Sequence, residues 1–139
     1  MGNRCILTLE NEQGLQHPVA LYLHWNGGLE SVLAFIQYTW DAYPRGRGDL
    51  FTFHARLCQV LGNFFADGLS FYGYRLDLAD SCAEGCDNGR FHFTIGSTSY
   101  ELKGRAEEVE NAKLHKYWTD ERNIFATIKD AMPKAEVVA

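Results

Sequence analysis

His24-Trp25-Asn26-Gly27-Gly28 stands between a β-rich run and an amphipathic one. A strand, a glycine turn and a helix start, in that order, present backbone N–H groups at the positive end of a helix dipole, which is an anion-binding geometry. His24 could move a proton there and Trp25 could stack on a ligand ring. The segment matches neither G-x-G-x-x-G nor G-x-x-x-x-G-K-[ST], so it specifies no nucleotide class. The competing reading is a tight glycine turn with Trp25 packed in the core.

A second set has metal-ligand chemistry. His54 and Cys58 lie four apart on an expected helix and share a face, and Cys82 and Cys86 lie four apart in a loop with Gly85 between them. One His and three Cys make a legitimate tetrahedral zinc set. The alternative is that His54 and Cys58 are core residues, because a buried Cys behaves as a small hydrophobe. No other cofactor is expected. For nucleophilic catalysis, Ser97, Ser99 or a Cys could pair with His92 or His54, but no G-x-S-x-G elbow or protease-like cysteine signature accompanies them.

Binding surfaces are the third possibility. Tyr43, Arg45 and Arg47 sit on a glycine-rich connection near Trp40, and Tyr72 and Tyr74 lie on an expected strand with Phe91, Phe93 and Tyr100 on later ones. Alternation sends one face of a strand to the core and leaves the other free, so exposed Tyr side chains would make a protein-binding patch. No basic stripe or RNA-binding motif backs the arginines, and direct nucleic-acid binding is not expected.

The elements that would position these residues follow from periodicity. Residues 4–25 read as an antiparallel hairpin turning at Asn11-Glu12-Gln13-Gly14, and its second strand is apolar on both faces, as in a sheet interior. Leu29, Val32, Leu33, Ile36, Trp40 and Tyr43 recur at helical spacing, and Pro44 to Gly48 stops that helix. Asp49 caps a second helix through about Ala66, with Leu50, Phe53, Leu57, Val60, Leu61 and Phe64 on its apolar face. Strands are expected at residues 69–77, 90–95 and 99–102, a helix-compatible stretch at 105–118, a last amphipathic helix at 120–132, and a loose tail at 134–139. The expectation is a single α+β domain over residues 1–133: an antiparallel sheet of about five strands with a helical hairpin and a C-terminal helix packed on it.

The 139 residues are 46% hydrophobic and 14% aromatic, enough to build one core without disulfides or metal. A net charge of −5 opposes generic attraction to DNA or anionic lipid. The start carries no basic-then-apolar leader, and Ile6 stands where a myristoylation signal wants Ser or Thr. No apolar run approaches the roughly 18 residues that span a bilayer. An intracellular protein with thiol cysteines is the expectation.

The run Tyr22-Leu23-His24-Trp25-Asn26-Gly27-Gly28, followed by Glu30-Ser31-Val32 and Ala34-Phe35, together with the run from Ala55 to Phe65 (ARLCQVLGNFF), resembles a group of small proteins carried by bacteriophages, prophages and plasmids. Cys86-Asp87-Asn88-Gly89 looks like the Asp-Asn-Gly turn of that group. The resemblance covers roughly residues 20–95 and brings no catalytic motif. It implies a counter-defence protein of the anti-CRISPR or antirestriction type, acting in the bacterial cytoplasm by stoichiometric binding to a host protein complex. Self-pairing of the same patches into a two-fold dimer is a further expectation.

Overall fold

A computed structural model describes residues 3–66, 73–81, 83, 85–105 and 124–133. Its elements are β1 (Cys5–Asn11), β2 (Val19–Leu23), α1 (Leu29–Ala42), a 3-10 turn (Pro44–Gly46), α2 (Leu50–Phe64), β3 (Tyr74–Leu78), β4 (Arg90–Ile95), β5 (Tyr100–Leu102) and α3 (Ile124–Ala131). The domain is α+β. Among the described residues no helix is long and apolar enough to cross a membrane.

The helices form where the apolar spacing places them. Asp49 caps α2 by accepting from the Thr52 N–H (3.1 Å) and the Thr52 hydroxyl (2.8 Å). The spacing of Leu50, Phe53, Leu57, Val60 and Leu61 then turns one face inward, and all five are buried. α1 buries Val32, Leu33, Phe35, Ile36 and Trp40 in the same way. α3 packs against both helices, with Ile128 buried and Met132 near Asn63. Residues 106–118 of the expected helix-compatible stretch at 105–118, the strand start at 69–72 and the tail at 134–139 lie outside the described residues.

The five strands run in the order β3-β2-β1-β4-β5. The hairpin of β1 and β2 holds, and β2 is an interior strand. One pairing departs from an all-antiparallel sheet: β4 lies parallel to β1, with Leu7 beside Phe91 and Leu9 beside Phe93. The reason is the path of the chain. β3 ends level with Val19, and the segment after it recrosses the sheet to enter β4 beside Arg4, where the Asn88 N–H donates to the Arg4 carbonyl (3.0 Å). Arg90 ties that crossing down by donating to the carbonyls of Ala79 and Ser81. Strands that need such a crossover pair in parallel.

One face of the sheet carries Leu7, Leu9, Leu21, Leu23, Phe91 and Phe93 into the core beneath α1 and α2. The other face is polar at its centre. There Glu10 accepts from Lys103 and from the Thr94 hydroxyl (3.0 Å), and the Thr8 hydroxyl meets His92 Nδ1 at 2.7 Å. The Lys103 ammonium, helped by Thr94 and His92, holds the Glu10 carboxyl below its usual range.

Candidate functional site

The loop at residues 24–28 is held by the chain's own start. The Asn3 N–H donates to the His24 carbonyl (2.8 Å), and the Gly27 N–H donates to the Asn3 carbonyl (2.7 Å). Gly27 is glycine because of that contact: a Cβ there would sit 2.4 Å from the Asn3 carbonyl oxygen. Asn26 takes the left-handed conformation (φ 56°), and Gly28 occupies the N-cap of α1 with no side chain to offer. His24 Nδ1 lies 2.8 Å from the Tyr22 hydroxyl, and Trp25, in edge contact with His24, is 42% exposed. Trp25 is therefore not the core residue that a bare tight turn would make it. The Gly27 N–H expected to meet an anion already bonds Asn3, and Glu30 adds its own carboxylate to the first turn. The arrangement suits a fastened turn better than an anion cradle.

Of the zinc set, His54 and Cys58 come together, with Sγ 3.6 Å from Nδ1. His54 Nε2 donates to the Val19 carbonyl (2.9 Å), which fixes the proton on Nε2 and leaves Nδ1 to accept from the thiol. Cys86 lies elsewhere, under the electrostatic influence of Arg4, Asp87, Arg75 and Arg90. Cys82 lies outside the described residues. Among the described residues no group of three or more His, Cys, Asp or Glu is placed to hold a metal ion.

The same His54–Cys58 pair tests the nucleophile reading. Burial pushes the Cys58 thiol up, and burial, with the charge of His17 adding to it, pushes His54 down. Both groups are thus driven towards neutrality, the opposite of the thiolate–imidazolium pair that an activated cysteine needs.

His54 also stacks flat on His17, with ring centroids 3.5 Å apart and planes 1° from parallel. Burial lowers His17 as well, and its Nδ1 accepts the Val19 N–H (3.0 Å). A depressed folded-state value means that the unfolded chain takes up protons first as pH falls. The stabilisation is complete above the unfolded imidazole value of about 6.5 and is lost as pH drops from there towards the folded values. Unfolding free energy should therefore decline as pH falls below about 6.5. In His54→Gln, which keeps a donor for Val19, that decline should be shallower. Urea titrations across the pH range check this, and an unchanged slope would reject it.

Tyr43, Arg45 and Arg47 gather at the α1–α2 connection. Arg47 is tied down: Nε and Nη2 donate to the Trp40 carbonyl (3.0 and 2.9 Å), and its guanidinium lies 5.0 Å from the Trp40 ring centroid. Arg56 covers Tyr43 in the same manner at 4.6 Å, while Arg45 is exposed. This connection abuts the β4–β5 turn, where the Gly48 N–H donates to the Gly96 carbonyl (2.8 Å). Tyr74 lies far from it, on β3 at the opposite edge of the sheet, half-buried. Tyr72 lies outside the described residues. Among the described residues, Tyr74 does not join Tyr43, Arg45 and Arg47 in one patch.

A patch does exist where residue types alone did not single one out. Among the described residues β3 is an edge strand, and its Leu76 and Leu78 are 57% and 67% exposed. Both point to the α2 side of the sheet, in register with Leu21 and Val19. Phe51 in the first turn of α2 is 55% exposed and lies 5.1 Å from the His17 ring. An open depression of about 490 Å³ lined by Gln16, His17, Pro18, Leu78, Ala79 and Asp80 adjoins them. The one cue in the sequence was the alternation of Tyr74-Arg75-Leu76-Asp77-Leu78, which reads as a half-buried strand and does not say which neighbour is missing.

No protein-family model, curated protein or solved structure matches this chain.

Proposed function

We propose that this chain is a non-enzymatic binding protein that grips a partner protein through the apolar side-chain face of β3 and the start of α2, a face distinct from the strand's backbone edge. The observation that carries the reading is the grouping of Leu76, Leu78 and Phe51, large apolar side chains left in water beside an open strand edge. Large apolar side chains exposed around one depression are costly to keep and mark interaction sites. The neutral His54–Cys58 pair and the fastened 24–28 loop leave no better-supported catalytic centre among the described residues. The resemblance to proteins of phages and plasmids supplies the partner class: a bacterial defence complex of the CRISPR or restriction type, bound in the cytoplasm and blocked one for one.

The test is titration of the purified chain into reconstituted interference and restriction reactions. Inhibition should reach its endpoint at a fixed ratio of chain to target. Phe51→Asp should weaken it by at least about tenfold, the loss expected for a charge placed at an interface hot spot. Inhibition that continues far below one chain per target, or that is unchanged in Phe51→Asp, overturns the reading.

A further inference from the structure

The backbone of β3 is more specific than its side chains. At the two ends of the β2–β3 ladder the His24 N–H donates to the Gly73 carbonyl and the Ala79 N–H donates to the Pro18 carbonyl, both at 3.0 Å. Alternation then turns the backbone groups of Arg75 and Asp77 towards β2 and those of Tyr74, Leu76 and Leu78 outward. Leu78 is occupied locally: its N–H donates to Asp77 Oδ1 (2.8 Å) and its carbonyl accepts the Ser81 N–H (3.0 Å). The outward groups of Tyr74 and Leu76 have no strand partner among the described residues.

We propose that two copies of this chain pair antiparallel through β3, with the two-fold axis at Leu76. In that register Leu76 faces Leu76 of the second copy, and the two residues exchange both backbone hydrogen bonds. Tyr74 faces Leu78 of the second copy on the α2 side. On the other side Arg75 faces Asp77 of the second copy, and by symmetry this happens twice. Arg75 and Asp77 fall at a non-hydrogen-bonded pair, where opposed side chains come closest. The charges also exclude the neighbouring registers. Centring the axis on residue 75 sets Arg75 against Arg75, and centring it on residue 77 sets Asp77 against Asp77, and like charges directly opposite are destabilising.

Within one chain Arg75 and Asp77 make only a loose contact, 3.8 Å apart with the Arg75 side chain 63% exposed. Asp77 Oδ1 accepts from the Leu78 N–H and from the Ser81 hydroxyl (both 2.8 Å), and Oδ2 is the oxygen that it presents to Arg75 of the second copy. Two five-stranded sheets become one continuous sheet. The interface uses the strand edge, and it does not rest on the partner reading above.

The experiment is light scattering during size exclusion, with circular dichroism to check folding. The wild-type chain should run at twice the chain mass. Arg75→Asp and Asp77→Arg should each raise the dimer dissociation constant by at least about tenfold, because each sets like charges opposite one another at two places. Mixed one to one, the two variants regain complementary pairs and should form a mixed dimer. Amide exchange on the wild type gives a reading that needs no variant: protection of Leu76 should rise with protein concentration. A monomeric wild type, a folded Arg75→Asp that stays dimeric, a mixture of monomeric variants that stays monomeric, or concentration-independent exchange at Leu76 each overturns the proposal.

Discussion

Phe35→Ala is expected to lower the unfolding free energy by about 3–5 kcal/mol, a large part of what a domain of this size has. Phe35 is fully buried in α1, in edge contact with Phe64 (4.9 Å, 83°) and near Phe65 (6.2 Å) at the far end of α2. Its removal strips the contact that closes the helical hairpin and leaves a cavity that packed neighbours fill only in part. Phe51→Ala is the control. That ring is 55% exposed, so its loss should stay within about 0.5 kcal/mol. Urea denaturation with unchanged slopes separates the two. A Phe51→Ala cost near that of Phe35→Ala would mean that Phe51 is structural and would remove it from the binding patch.

Gly27→Ala is expected to cost about 1–3 kcal/mol, through overpacking. The added methyl would lie 2.4 Å from the Asn3 carbonyl oxygen and 2.9 Å from the backbone of Arg4 and Cys5, none of which is a flexible side-chain end. The start of β1 would have to move. Gly62→Ala runs the other way. Gly62 lies inside α2 with nothing within 4 Å of the new atom, so the helix gains about 0.5–1 kcal/mol of propensity. Thermal unfolding of both variants gives the signs directly. If Gly27→Ala were neutral, the fastening of the 24–28 loop by Asn3 would be wrong, and that loop would be free to serve a ligand.

The parts of the fold that sequence revealed are the local ones. Asp49 announces α2 because a cap acts within one turn, and Leu29 to Trp40 announce α1 because one face repeats within a few residues. The β1–β2 hairpin was legible for the same reason. The parallel β1–β4 pairing was not, since it joins residues such as Thr8 and His92 across 84 positions and depends on a crossing with no periodic signature. The candidate site suffers from the same limit. Leu76 and Leu78 have the pattern of a half-buried strand, and only the strand order makes them residents of an open edge. His54 and Cys58 were legible as a pair through their helical spacing. Their neutral chemistry comes from burial, with His17, stacked on His54 from 37 positions earlier in the chain, adding to it.

The parallel pair has a consequence for how the chain is made. During synthesis β1 can find β2 almost at once, yet its other flank waits for β4. At about 5–20 residues per second, the 84 positions separating Thr8 from His92 leave that flank open for roughly 4–17 seconds on the ribosome. The nascent hairpin is then a two-sided template whose most buried strand lacks half its partners. Mispairing has its widest window there, and release of the chain before Ile95 would leave the central strand permanently unsealed.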